Sequence, residues 1–419
     1  MNHSQIPDGW HVKKLKQTGE AIIGLTYSPK DVVDSGGIEV LRSSNVQHGR
    51  IVLDDLVRVN AKIPEKIILQ DGDILVCARN GSRRLIGKNA RINRHNIGKT
   101  FGAFMCVYRS DNPNYMYWVF QTESFRKQIA RDLGPTINQV TTGNLNSFKF
   151  AFPSEDEQAR IVTVLEVWDE YVEKLDKKIE LKKNIKKGLM QDLLTGEIQI
   201  PGFNGEWQEV KLGENGETYA GLSGKTKEDF GQGKPYITYM NIYSNPTVDQ
   251  NNYELVKLDH EESQNKVKYG DILFTTSSET PEEVGIASVY LGNDSELYLN
   301  SFCFGFRLKQ PAKLSPKFAR HYFRGQQFRK TMTRIAQGAS RYNLSKRYFM
   351  ETKIRIPVDI AEQERIAELL DNISFDIKLL HDKRQLVLNQ KKYLVNNLIR
   401  GDLRTPEDLR ISIKEMQHA

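Results

Sequence analysis

The chain has 419 residues, 39% of them hydrophobic and 27% charged, with a net charge of +7. That length exceeds one ordinary domain, the composition excludes a disordered tail or a fibre, and no apolar run approaches the ~18 residues a membrane helix needs. The start, Met1 to Pro7, has no basic-then-apolar signal pattern, and Cys77, Cys106 and Cys303 are widely spaced in apolar strings. The expectation is a cytoplasmic protein with reduced cysteines, neither a disulfide nor a zinc site.

In chain order, residues 1–153 carry +8 and read as an α+β block. Short strands are expected at Val40–Leu41, Ile74–Cys77 and Phe104–Tyr108, and one amphipathic helix at Tyr115–Leu133. No acidic residue occurs from Ile74 to Ser110, whereas Arg79, Arg83, Arg84, Lys88, Arg91, Arg94, Lys99 and Arg109 do. Residues 154–198 carry −3 and read as one long helix. Ser154-x-x-Glu157 after Pro153 is a capping box, and Gly196 sits where a helix stop belongs. The apolar positions Ile161, Leu165, Trp168, Val172, Leu175 and Ile179 step by fours and threes, the spacing of a coiled-coil seam. The seam breaks at Lys182, where a local stutter is expected.

Residues 199–358 carry +3 and repeat the first pattern. Strands are expected at Tyr236–Met240, Ile272–Thr276 and Phe304–Leu308, with a helix at Lys317–Ile335. From Leu297 to Met350 there is again no Asp or Glu among twelve cations. Residues 359–403 read as a second helix, capped by Asp359-x-x-Glu362 and stopped at Gly401, with its seam at Ile366, Leu370, Ile373, Ile377 and Leu380. Residues 404–419 are a tail.

The two halves are one duplication. Gly9-Trp10 returns as Gly205-Glu206-Trp207, Leu41–Val46 aligns with Ile237–Ile242, and Gly72-Asp73-Ile74-Leu75 returns as Gly270-Asp271-Ile272-Leu273. From Ser154 onward the offset is constant, pairing Glu157-Gln158 with Glu362-Gln363 and Arg160-Ile161 with Arg365-Ile366. A seam this narrow needs a partner, and the nearest is the other copy, with the helix around Ile366 expected close to its twin around Ile161. Apolar residues beyond the seam (Val164, Val167, Leu181, Ile185; Leu369, Leu386, Val387, Leu388) argue for a further partner, because a helix pair leaves them wet.

Catalytic patterns are missing. Gly98-Lys99-Thr100 and Gly224-Lys225-Thr226 resemble phosphate loops, but the glycine required five positions earlier is Asn93 in one and Tyr219 in the other. Asp111-Asn112-Pro113 lacks the second proline and the aromatic of an amino-methyltransferase loop, and no histidine pairing suits a metal. Material for binding DNA is plentiful. Arg79-Asn80-Gly81-Ser82-Arg83-Arg84 follows a strand and combines side chains suited to guanine and adenine edges with a tight turn. The candidate DNA-contacting residues of the first block are Arg42, Ser44, Asn45, Arg79, Asn80, Arg83, Arg84, Lys88, Asn138 and Gln139. In the second block they are Tyr239, Asn241, Ser277, Ser278, Arg341 and Tyr342. Trp10 and Trp207 are read as packing anchors.

These features together resemble the specificity subunit of a type I restriction-modification system. The likeness rests on the Gly-Trp start of each copy, the Gly-Asp-Ile-Leu strand, the turn Gly338-Ala339-Ser340-Arg341-Tyr342-Asn343-Leu344-Ser345 and the helix entries at Pro153 to Ile161 and Pro357 to Ile366. It implies two target-recognition domains (1–153 and 199–358), each reading half of an interrupted, asymmetric site in double-stranded DNA. The two spacer helices would pair as an antiparallel coiled coil with pseudo-twofold symmetry and dock two methyltransferase subunits. It further implies a subunit without catalysis of its own and no membrane contact, with S-adenosylmethionine, ATP and Mg on the methyltransferase and motor-nuclease subunits. The alternatives are a stand-alone duplicated DNA-binding protein without methyltransferase partners, or an enzyme of unrecognised site.

Overall fold

The protein is described here by a computed structural model covering residues 6–134, 138–259 and 262–409; part of the expected tail, 410–419, lies outside the described residues. The chain divides into two compact units, residues 1–176 with 383–419 and residues 177–382. The division cuts each long helix in its middle instead of at the helix ends. Each half-helix buries its apolar stripe in its own unit, and burial decides where a compact unit ends.

In the first unit a four-stranded antiparallel sheet runs Gly19–Ile23, Met105–Ser110, Ile74–Cys77, Asn89–Arg91. Both its faces are covered, so Ile74 and Val76 enter one core while Leu75 and Cys77 enter another. That explains the continuous apolar run, since alternation is needed only where one face is wet. A smaller sheet orders Thr100–Phe101, Ile38–Leu41, Val57–Val59 and Val32–Val33. Strand His11–Lys14 closes the domain by pairing antiparallel with Lys149–Phe152, the strand that leads into the first long helix.

The second unit repeats this plan. Its central sheet runs Gly216–Ala220, Cys303–Leu308, Ile272–Thr275, Ala287–Val289, and Trp207–Lys211 pairs with Lys353–Pro357. In both central sheets the Gly-Asp motif holds an arginine of the neighbouring strand. Arg109 donates to Asp73 from Nε at 2.8 Å and Nη2 at 2.7 Å, and Arg307 donates to Asp271 at 2.9 and 2.6 Å. The repeated motif is thus a structural ion pair that consumes one cation of each acid-free run.

Several local expectations change. The helix expected at Tyr115–Leu133 is two helices, Pro113–Gln121 and Glu123–Asp132, because Thr122 takes an extended backbone and its Oγ1 accepts the amide of Phe125, capping the second. The helix expected at Lys317–Ile335 likewise splits into Pro316–Tyr322 and Gln326–Ile335, with Gly325 between them extended. Tyr239 and Met240 leave the expected strand for a short helix, Tyr239–Ser244, started by the Thr238 hydroxyl.

The long helices are Glu155–Thr195 and Ile360–Arg400, each followed by a glycine with left-handed backbone, Gly196 at φ +76° and Gly401 at φ +78°. Only half of each capping box forms. Ser154 Oγ accepts from the Glu157 amide at 3.4 Å and Asp359 accepts from Ala361 at 2.8 Å. The Glu157 and Glu362 carboxylates turn away and accept the indole N–H of Trp10 and Trp207, each at 3.3 Å, because a buried indole needs an acceptor. Trp10 is 5% exposed and Trp207 packs on the second unit's core.

In each unit the two helices run antiparallel. In the first, Asp169 pairs with Lys391 and Asp176 with Arg384; in the second, Lys182 pairs with Asp376 at 2.8 Å. The break in the apolar seam is therefore filled by ion pairs. The expected closeness of Ile366 to its twin Ile161 is corrected, because the two enter different cores. Ile161 and Leu165 share a core with Val395 and Leu398, and Ile366 and Leu370 with Leu193 and Leu194. Antiparallel pairing sets the start of one helix against the end of the other. Val172, Leu175, Ile179 and Ile373 are buried and Trp168, Ile377 and Leu380 half-buried. Of the apolar residues placed beyond the seam, Val387 is buried and Val164 and Leu369 pack on the cores, while Leu181, Ile185 and Leu386 stand exposed.

Candidate nucleic-acid interface

In the first unit three loops meet at the end of the central sheet. They are Arg42–Asn45, which follows Ile38–Leu41; Arg79–Ser82, which follows Ile74–Cys77; and Gly102–Phe104, which precedes Met105–Ser110. Asn80 Nδ2 donates to Ser43 Oγ at 2.9 Å, and the Ala78 and Arg79 amides donate to Phe104 O at 3.0 and 2.9 Å. Between them lies a cleft of about 770 Å³ lined by Arg42, Ser43, Ser44, Arg79, Asn80 and Phe104, among others. Asn138 and Gln139 join the same rim, for Gln139 bridges Arg79 and Asn138 Nδ2 donates to Gly81 O at 3.2 Å.

Not all of these side chains point outward. Arg79, Arg84 and Ser44 are exposed, and Asn80, Asn138, Gln139 and Lys88 are half-buried. Arg42 pairs with Asp55 at 2.7 Å. Arg83 donates to Leu133 O and Gly134 O, satisfying carbonyls where the helix Glu123–Asp132 ends. Asn45 is fully buried, its amide bound to Val52 O and Asp55 O, so it shapes its loop from within. Asn241, its equivalent in the second unit, is fully buried in the same way and donates to Asp249 O and Asn252 O. Repeat position thus marked both asparagines as notable, but their role in the fold is to hold turns.

The second unit builds its rim differently. Ser277 and Ser278 are buried and pair as a strand with Asn343 and Tyr342. Ser278 Oγ donates to Glu283 at 2.7 Å and Tyr243 OH donates to it at 2.8 Å; these bonds hold the Glu283 carboxyl below its usual range. Tyr239 OH donates to Ser277 O at 3.1 Å. Arg341 is exposed and Tyr342 half-buried on a hairpin of Ala336–Gln337 and Tyr342–Leu344.

Much of the second acid-free run is structural. Arg324 donates to the carbonyls of Ala287, Ile242, Tyr243 and Asn245, and Arg329 to those of Glu282, Val284 and Gly285. Burial pushes both guanidinium groups down to about 10. Arg320 pairs with Asp371. The cations left at the surface include Lys330, Arg334, Arg341, Lys346 and Arg347. Lys99 and Lys225 of the two phosphate-loop look-alikes are tied up by Glu39 and Glu262. Among the described residues no acidic, histidine or cysteine cluster is arranged to hold a metal, and no helix is long and apolar enough to cross a membrane.

Sequence reasoning missed Phe104 and Phe302. The strand expected from Phe104 begins one residue later, at Met105, and leaves Phe104 59% exposed; Phe302 is 53% exposed. The signal was available, since the offset of 198 that aligns the Gly-Asp-Ile-Leu motifs also aligns these two rings.

The comparisons with known proteins agree with this geometry. The family described as the type I restriction modification DNA specificity domain matches residues 7–190 and again 204–390. The chain is 23% identical to the type I restriction enzyme MjaVIII specificity subunit of Methanocaldococcus jannaschii, over 96% of this chain and 95% of that one. It is 25% identical, over the same shares, to the putative MjaX specificity subunit of the same organism. A chain from a solved type I restriction-modification system superposes with a TM-score of 0.62 at 18% identity, covering 95% of this chain and 99% of that chain. The HsdS subunit of Thermoanaerobacter tengcongensis gives 0.51 at 18% identity, covering 95% and 98%. Matched twice in tandem across most of its length, and sharing the fold of these structures, the chain belongs to the type I restriction-modification DNA specificity family.

Proposed function

We propose that the chain is the DNA-reading subunit of a type I restriction-modification complex, in which each unit reads one half of an interrupted, asymmetric site. One observation carries this reading: two copies of one frame present different polar residues at the same edge. The strand end that bears exposed Arg79 and half-buried Asn80 in one copy bears buried Ser277 and Ser278 in the other, where the exposed Arg341 comes instead from the hairpin paired with them. A shared frame with unlike reading residues is what two unlike half-sites require, since base edges differ in donors and acceptors. Exposed Arg79, Arg84, Arg341, Lys346 and Arg347 supply phosphate contacts or base contacts.

In this reading the chain performs no catalysis, and S-adenosylmethionine, ATP and Mg are held by methyltransferase and motor-nuclease subunits. Exposed Leu181 (60%), Leu386 (58%) and Ile185 (44%) on the long helices favour methyltransferase docking there over a stand-alone binder. The test exchanges residues 1–153 for the corresponding domain of another member and maps the methylated sites. One half-site should change; a change in both halves refutes the two-reader arrangement. DNA affinity should also fall steeply with salt, as phosphate neutralisation demands.

A further inference from the structure

Each unit presents one large exposed ring at the same place, with a guanidinium stacked over it. Arg79 Cζ lies 5.0 Å from the centroid of Phe104, and Arg341 Cζ lies 5.3 Å from that of Phe302. The rings are equivalent in the backbone. Phe104 O accepts from the Ala78 amide at 3.0 Å, and Phe302 O accepts from the Thr276 amide at 2.8 Å, each at the end of the Gly-Asp-Ile-Leu strand. The arginines are not equivalent. Arg79 belongs to that strand's own extension, whereas its counterpart is the buried Ser277, and Arg341 arrives from the hairpin that pairs with Ser277. The two copies therefore reach one arrangement by separate routes.

That convergence needs a cause beyond common descent, because descent preserved the ring and not the cation. Folding stability is a poor candidate, since an exposed cation–π contact stabilises only weakly, and an exposed phenyl gains little from burial where it stands. A ring under a guanidinium does restrict the rotamers of a long, flexible side chain and fixes its plane. A fixed plane is what a bidentate contact to guanine O6 and N7 demands. Both couples stand in acid-free stretches of sequence.

We infer that Phe104 and Phe302 are positioning residues for base readout: each ring holds its arginine in the plane that donates two hydrogen bonds to a guanine in the half-site of its unit. This rests on the DNA-reading function proposed above and adds the base and the means of discrimination.

The test uses the full chain and a library of 40-bp duplexes with a randomised centre, selected by binding and then sequenced. The wild type should enrich a two-part motif. F104A should lower the preference for one guanine in one half by about two- to fivefold, the scale of an exposed cation–π contact, at the same position where R79A lowers it by about tenfold or more, and leave the other half intact. F104A combined with R79A should be no worse than R79A alone, and F104W should restore the preference because the ring is back. F302A and R341A should do the same to the other half. Melting curves of F104A and F302A should match the wild type, as the rings are exposed. An unchanged motif in F104A, or a loss that F104W does not repair, overturns the inference while leaving DNA reading intact. A wild type that enriches no motif overturns the DNA-reading function itself.

Discussion

The sharpest separation the structure makes is between cations that hold the fold and cations that face outward, and Arg324 tests it. Its guanidinium donates to Ala287 O at 2.6 Å, Ile242 O at 2.6 Å, Tyr243 O at 3.0 Å and Asn245 O at 2.9 Å. R324M keeps the length of the stem and removes every donor. A buried polar group left without its partner costs about 1–3 kcal/mol, and carbonyls that regain water soften the total, so the expected loss is about 4 kcal/mol. For a unit of this size that lowers the midpoint of unfolding by about 8–16 °C, read by scanning calorimetry, in which the second unit's transition should move and the first unit's should not. The same protein, titrated with duplex DNA at several salt concentrations below its midpoint, should keep the wild-type slope of log affinity against log salt. R341A should show the reverse, with wild-type melting, an unchanged slope and a lost preference for one base, whereas a slope smaller by about 0.9 would make Arg341 a phosphate contact and not a reader. An R324M variant that melts within about 2 °C of wild type, or one that loses salt dependence, refutes the division.

Other outcomes follow from the same geometry. D73A leaves Arg109 without its buried acceptor and should cost the first unit about 3 kcal/mol in denaturant melts, with D271A doing the same to the second; pairing D73A with R109M should recover part of the loss, and no recovery would mean the ion pair is not the cause. Glu157 and Glu362 are repeat equivalents with unequal partners, for Arg404 donates to both oxygens of Glu157 at 2.6 and 2.8 Å while burial raises the carboxyl of Glu362 and its Oε2 has no partner among the described residues. E157Q should therefore destabilise by about 1–3 kcal/mol and E362Q should be neutral or stabilising at pH 7, checked by chemical denaturation of both variants side by side. Burial holds His321 below its ordinary 6.5, outweighing the hydrogen bond to Asp371, while Arg320 and Lys186 press the same way as burial. The unfolded chain then takes up the proton first, so the second unit should lose stability as pH falls through about 6.5 and regain it above; H321Q should flatten that dependence between pH 5.5 and 7.5, and a variant with the wild-type pH profile would assign it elsewhere.

The sequence by itself determined the duplication, the two long helices with their glycine stops, and the central strands at Ile74 and Ile272. Those features are written in local periodicity and in motifs that recur at fixed offsets, which need no knowledge of what packs where. It also marked the loops at Arg42, Arg79 and Arg341 as candidates for contact. Only the tertiary structure decided which members of each basic run are spent on carbonyls and carboxylates, because a run of one sign reads alike whether its side chains face water or cap a turn. The same holds for Asn45 and Asn241, whose burial depends on loops closing over them. It also decided which part of each helix meets which, since a heptad pattern is blind to chain direction. And it brought Arg341 over Phe302 across a hairpin, a meeting of residues 39 positions apart that no periodicity encodes.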